Sequence, residues 1–177
     1  MTDLTGLDLT RKLISFNTNS PPGNEADCAR YIAGLLENAG FDISWHDWQP
    51  QRPNLIATLP ATEEVTRGAI VYSGHLDTVP LGQVDWSEDP FAGEIKDGRM
   101  YGRGTSDMKS GVAACIMAGL ALAQEPVRRA EVKLIFSAGE ETGCEGVLAL
   151  AERPDLLGTC DVLVVAEPTD NRPFIGH

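Results

Sequence analysis

Of the 177 residues, 26 are Asp or Glu and 14 are Lys or Arg, giving a formal net charge of −12, with 42% hydrophobic and 23% charged side chains. At roughly 150 residues per domain the length suits one domain, and the composition is that of a chain with a packed core. The acidic balance argues against nucleic-acid or anionic membrane partners, because their phosphates would be repelled.

The start, Met1-Thr2-Asp3-Leu4-Thr5, lacks the basic and apolar regions of a signal peptide, and the apolar run Val112–Ala123 falls short of the ~20 residues that span a bilayer. Cys28, Cys115, Cys144 and Cys160 form no C-x-x-C pair, so they read as reduced core thiols and the expected location is cytoplasmic.

Leu4, Leu7, Leu9, Leu13, Ile14 and Phe16 recur at helical spacing up to the breaker Asn19-Ser20-Pro21-Pro22-Gly23. Asn24 is placed to cap a second helix, whose face Cys28, Tyr31, Ile32, Leu35 and Leu36 runs to a stop at Gly40. Residues 41–48, 54–59 and 69–73 read as strands. A long polar connection follows, with turn signals at Glu88-Asp89-Pro90 and Asp97-Gly98. The pattern then predicts a buried helix over 108–124, a strand over 132–137, a short helix over 145–151 and a strand over 161–166. Strands separated by helices imply βαβ crossovers and a mainly parallel sheet between two helical layers. Ligands then belong outside the carboxyl ends of the strands.

Four polar clusters occupy such positions: His75-Leu76-Asp77, Asp107, Glu140-Glu141 and Glu167. They match the inventory of a dinuclear amide hydrolase: a bridging carboxylate, terminal His and carboxylate ligands, and one further carboxylate to move protons. His75 and Asp77 are two apart, so on extended backbone they share a face and Asp77 can accept the second ring N–H of His75. Each cluster also has a plainer reading. His75 could be a surface histidine, and Asp107 could cap the helix that follows it. Adjacent glutamates at the end of an apolar strand are costly without a cation, which makes Glu140-Glu141 harder to dismiss. Glu167 follows the apolar run Val162–Ala166 and precedes Pro168.

The strings Ser73-Gly74-His75-Leu76-Asp77-Thr78-Val79-Pro80, Gly102 to Gly111, Glu140-Glu141-Thr142-Gly143 and Glu167-Pro168-Thr169 resemble, in order, those of the di-zinc exopeptidases and amidohydrolases. That family includes acetylornithine deacetylase, succinyl-diaminopimelate desuccinylase, aminoacylase and carboxypeptidase G. The resemblance implies a three-layer αβα sandwich and hydrolysis of an amide, as a deacylase of N-acyl amino acids or a metallo-exopeptidase, by a metal-bound hydroxide. It implies two zinc ions, with cobalt or manganese as substitutes, bridged by Asp107. His75 and Glu167 would complete one ligand set and Glu141 would serve the other, with Glu140 as general base, Asp77 orienting His75, and Asp107–Met108 in cis.

Family members carry a further histidine ligand far downstream, and a lid or dimerisation domain inserted in the catalytic domain. Residues 1–177 therefore correspond, as an expectation, to the N-terminal part of the catalytic domain, and the isolated chain is expected to turn over weakly or not at all. The whole enzyme would be a homodimer acting on a small N-acyl amino acid or dipeptide. His177 belongs with the segment leading to the lid and is not the absent ligand, while His46 reads as a surface residue. The competing reading is a non-catalytic metal-binding or interaction module with an exposed apolar face. Nucleotide binding is disfavoured, since Gly102-x-Gly104 lacks the third glycine of that fingerprint and no P-loop occurs; nor is there a G-x-S-x-G elbow.

Overall fold

Thr5 opens helix α1 (Gly6–Ile14): its hydroxyl accepts the Asp8 N–H and the Asp8 carboxylate reaches back to Thr5, a reciprocal cap. The computed structural model describes residues 4–175, so the start Met1–Asp3 and His177 lie outside the described residues. Leu9, Leu13 and Ile14 are buried, but Leu7, expected on the same stripe, is 60% exposed. Helix α2 (Ala26–Glu37) buries Cys28, Ile32 and Leu36. Asn24 does not cap it. Glu25 holds the capping position without a side-chain cap, because its carboxylate is turned inward to Arg52. The helix ends as expected at Gly40, where the Phe41 N–H bonds Leu36 O and the Gly40 N–H bonds Glu37 O.

Strands β1 (Asp42–Gln49), β2 (Arg52–Leu59), β3 (Ala69–His75), β6 (Val132–Ser137) and β7 (Cys160–Val165) form one sheet in the order β1-β2-β6-β3-β7. The β6-β3-β7 portion is parallel, and β1 and β2 add an antiparallel hairpin beside β6. Helices α1, α2 and α3 (Ser110–Ala123) cover one face around Leu9, Ile32, Leu36, Ile116, Leu134 and Phe136. The shorter α4 (Glu145–Ala151) and α5 (Pro154–Leu157) cover the other around Ile56, Val71, Ile135 and Leu150. This is the expected three-layer αβα arrangement with a parallel centre.

Two features of the connections were not anticipated. Within the polar stretch, β4 (Glu94–Lys96) and β5 (Arg99–Tyr101) make a small hairpin. Its turn is the signalled Asp97-Gly98, both at positive φ (49° and 75°), the conformation that a two-residue hairpin requires. A wide π-type turn, Thr105–Lys109, with non-helical backbone at Asp107 and Met108, also leads into the 14-residue α3; turn and helix together make 19 residues with a mean hydropathy of 1.2, a length and apolarity that would suit a membrane crossing. The helix lies instead against the sheet, burying Val112, Ala113, Cys115, Ile116 and Gly119.

Of the four cysteines, Cys28 and Cys115 are core thiols as expected, but Cys144 is half-buried and Cys160 exposed. Cys160 begins β7, whose six residues are all exposed, including Val162, Leu163, Val164 and Val165. One edge of β7 pairs with β3, and no strand among the described residues pairs with the other. An apolar unpaired strand is a template for association, and a charge placed on it blocks that pairing. The chain is therefore expected to self-associate with rising concentration, and Leu163→Lys to move it toward monomer in light scattering without lowering its melting temperature.

Candidate metal centre

Because β6, β3 and β7 run parallel, their carboxyl ends lie along one edge, and each delivers acidic or imidazole groups there. His75 ends β3 opposite Ser137 of β6; Glu140 and Glu141 follow β6, and Glu167 follows β7. Asp107 comes from the π-type turn at the mouth of α3, at φ −120° and ψ 100°, so it is not a helix cap. The peptide Asp107–Met108 is cis. The side chain of Met108 is buried beneath Gly74, and its sulfur accepts the His75 N–H at 3.1 Å.

The turn is anchored from behind by Lys109, whose buried ammonium donates to Leu13 O (3.0 Å) in the last turn of α1 and to Phe16 O (2.8 Å) just beyond it. Burial lowers its pKa to about 8 against the raising influence of Cys28, Glu25 and Asp77. Gly111, in the first turn of α3, faces the strand that leads to Glu167, where a Cβ would overlap the Ala166 carbonyl oxygen. Only glycine lets helix and strand approach so closely. Gly111→Ala should separate Asp107 from Glu167 and weaken metal uptake by tenfold or more, measured by calorimetric titration.

The ring of His75 is buried. Its Nδ1 lies 2.9 Å from the backbone oxygen of Asp77; a carbonyl can only accept, so Nδ1 carries the proton and Nε2 faces the cluster. This differs from the expected carboxylate acceptor. The Asp77 carboxylate is 3.6 Å from Nδ1, a charge partner rather than an acceptor, because it is turned to the N–H groups of Glu140 and Glu141, both at 3.0 Å. Around Nε2 stand Asp107 (3.0 Å), Glu140 (3.8 Å) and Glu167 (3.9 Å). Glu141 accepts the Val79 N–H at 3.2 Å, and with His75 and Asp107 brings three ligand atoms within 4.8 Å of one another. The Cys144 thiol lies 3.6 Å from a Glu140 oxygen. His46, expected at the surface, is half-buried and meets the Asn54 amide at 3.2 Å.

The electrostatics are those of a site short of positive charge. Burial raises the Glu141 carboxyl above its usual range and Asp107 adds to the shift. Burial also raises Glu167, opposed by His75 and aided by Asp107, Glu140 and Glu141. Burial would raise Asp77 as well, but His75 and the two loop N–H groups hold it low. Burial opposes charge on His75, yet Asp77, Glu167 and Asp107 together raise it from 6.5 to about 9.

The donor set fits a divalent metal. Tetrahedral zinc with bonds of 2.0–2.2 Å keeps its ligand atoms roughly 3.3 Å apart, and the distances from Nε2 to Asp107 (3.0 Å) and Glu167 (3.9 Å) bracket that value. A cation would replace the ring proton as the countercharge.

A raised histidine stabilises the fold fully below pH 6.5, and that contribution is lost as pH rises through about 9. In EDTA, urea melts should show stability falling by order 1–3 kcal/mol between pH 6.5 and 9, and His75→Gln should flatten the profile.

An αβα sandwich that gathers one histidine and four carboxylates at a single sheet edge has the architecture of a metallopeptidase-type catalytic domain. Residues 71–175 match Peptidase family M20/M25/M40, and the chain belongs to this family. It is 37% identical over 176 residues to the succinyl-diaminopimelate desuccinylase of Wolbachia sp. subsp. Brugia malayi (strain TRS), covering 93% of this chain and 41% of that protein. It is 33% identical over 168 residues to the N-formyl-4-amino-5-aminomethyl-2-methylpyrimidine deformylase of Bacillus subtilis (strain 168), covering 93% and 38%. The fold is shared with the M20 family metallo-carboxypeptidase Sso-CP2 from Sulfolobus solfataricus, with a TM-score of 0.78 at 22% identity over 94% of this chain and 37% of the other. The chain thus spans about two fifths of the length of these curated relatives.

Proposed function

We propose that the chain carries the metal-binding part of a zinc-dependent amide hydrolase that removes an N-acyl group from an amino acid or cleaves a short peptide from its end. The observation that carries this reading is the ring of carboxylates around His75 Nε2. It is supported by the relatives' names, a desuccinylase and a deformylase, which denote removal of acyl groups.

In this reading His75, Asp107 and Glu167 would hold one metal, and Asp107 and Glu141, with a ligand beyond those described, would hold a second. Metals held there would supply Lewis-acid chemistry toward the attacking water and the scissile carbonyl. Glu140 takes the proton of the attacking water and returns it to the departing amine. Its carboxylate is suited to that role, being partly exposed, adjoining the cluster, and sitting on a backbone fixed by the Asp77 oxygens. Asp77 holds the loop and, through its own carbonyl, the tautomer of His75. A cytoplasmic location, small N-acyl amino acid or dipeptide substrates, a homodimeric whole protein and an absence of nucleic-acid or membrane partners complete the proposal.

The second reading, a non-catalytic metal-binding or interaction module, is favoured by the exposed aliphatic row of β7. Both readings expect zinc uptake. It should strengthen as pH rises from 6 to 9, because the metal competes with the His75 proton, so in excess zinc the fall in stability seen in EDTA between pH 6.5 and 9 should disappear and leave a nearly level profile. His75→Ala and Asp107→Ala should lower zinc affinity at least a hundredfold in calorimetry, while Glu140→Ala should retain it. Unchanged affinity in both of the first two would defeat the site. Hydrolysis of N-acyl amino acids that is lost in Glu140→Ala would decide for the enzyme, and would correct the expectation that these 177 residues alone turn over weakly or not at all.

A further inference from the structure

Behind the loop carrying Glu140 and Glu141 lies a buried guanidinium. Arg52, 5% exposed, donates from Nε to both Glu25 oxygens (3.1 Å each), and from Nη2 to Glu25 (2.7 Å) and Ser20 Oγ (2.9 Å). Glu25 is fully buried. Such a pair contributes little net stability, since desolvation offsets much of its attraction. What the guanidinium faces is therefore the more informative observation. Nη2 is 3.9 Å from Asp77 Oδ2, and the guanidinium carbon lies 4.7 Å from the centre of the Trp48 ring.

Both contacts lead to the same loop. Asp77 receives the N–H groups of Glu140 and Glu141. Trp48 occupies the space where a Cβ on Gly139, at φ 69°, would stand. Asn54, two residues along β2 from Arg52 and so on the same face, donates to Gly146 O (2.9 Å) and accepts the Ala138 N–H (3.0 Å), tying both ends of the loop.

We infer that Arg52 is a positioning residue: through Asp77 and Trp48 it fixes the backbone of Gly139–Glu141 and so the aim of the base and of one metal ligand. The functional half of this statement rests on the proposed roles of Glu140 and Glu141; the positioning half does not. Without the guanidinium, Asp77 would be a buried anion facing other carboxylates, and its hold on the two N–H groups would loosen.

The test uses the 177-residue chain. Arg52→Met with Glu25→Leu removes the guanidinium without stranding its partner, a replacement that folds tolerate. Arg52→Lys keeps the charge but loses the fork and the flat stack on Trp48. Leu36→Ala, in the core beneath α2, serves as a control for general destabilisation. Two quantities are read: NMR hydrogen-exchange protection of the Glu140 and Glu141 amides, and Co2+ affinity with its visible spectrum. The Arg52 variants should lose at least tenfold in protection at those two amides and roughly ten- to hundredfold in Co2+ affinity, with the lysine variant retaining more. Leu36→Ala should alter neither beyond its effect on global stability. Wild-type protection at both amides in the folded double variant overturns the inference; if that variant does not fold, wild-type protection in Arg52→Lys overturns it equally. A wild-type chain that takes up no Co2+ would defeat the metal-site reading, and the amide measurement would still decide the positioning role.

Discussion

The Asp77 carboxylate is buried without solvent contact, yet it is ionised by every group that surrounds it. Two loop N–H groups donate to its two oxygens, the His75 ring stands at 3.6 Å and the Arg52 guanidinium at 3.9 Å. Removing an ionised carboxylate from water costs several kcal/mol unless hydrogen bonds and countercharges replace hydration. That requirement binds β3, β2 and the loop after β6 to one another, because each supplies part of the compensation. The geometry of the cluster is thus set one layer beneath the groups that would meet a ligand.

Charge explains the remainder of the edge. A chain of net charge −12 could spread its acids over a solvated surface, where mutual repulsion is weak. Here Asp107, Glu140, Glu141 and Glu167 converge on one imidazole, and burial, with the neighbouring acids adding to it, raises the carboxyls of Glu141 and Glu167. In the metal-free chain the ring proton relieves their repulsion in part. A divalent cation would do so more completely, and proton and metal are therefore alternative occupants of the same electrostatic role.

Much of this edge was legible in the sequence, because chemistry-bearing residues at the ends of apolar runs obey the rule that parallel strands present their ligands at carboxyl ends. His75, Glu140, Glu141 and Glu167 are local in this sense, each lying within a few residues of a strand that periodicity reveals. The supports were not legible, for they act across 27 to 96 residues: Glu25 with Arg52, and Lys109 with the carbonyl of Leu13. A lone arginine at the start of a strand carries no sign that it will be buried. Asn24 was misread as a cap for the same reason, since the neighbouring Glu25 is drawn inward by a partner not yet formed. Cys144 escaped because nothing local distinguishes a half-buried thiol beside a carboxylate from a core one. The Asp77 carboxylate was placed on the right neighbour but with the wrong atom, because strand alternation fixes which residues share a face and not which of their oxygens turns toward a ring.

The position of β6 in the sheet governs when such a site can exist. It lies between β2 and β3, pairing with residues that precede it by some 60 to 80 positions. Until it is in place, β2 and β3 have no strand to join them, and the hairpin of β1 and β2 is separate from the strand that bears His75. The contacts that assemble the cluster are therefore of high order in the chain, and the loop-closure entropy must be met before any of them forms. On a ribosome, the imidazole would emerge well ahead of the strand that gives it neighbours, so a metal taken up by this cluster would arrive at the end of folding.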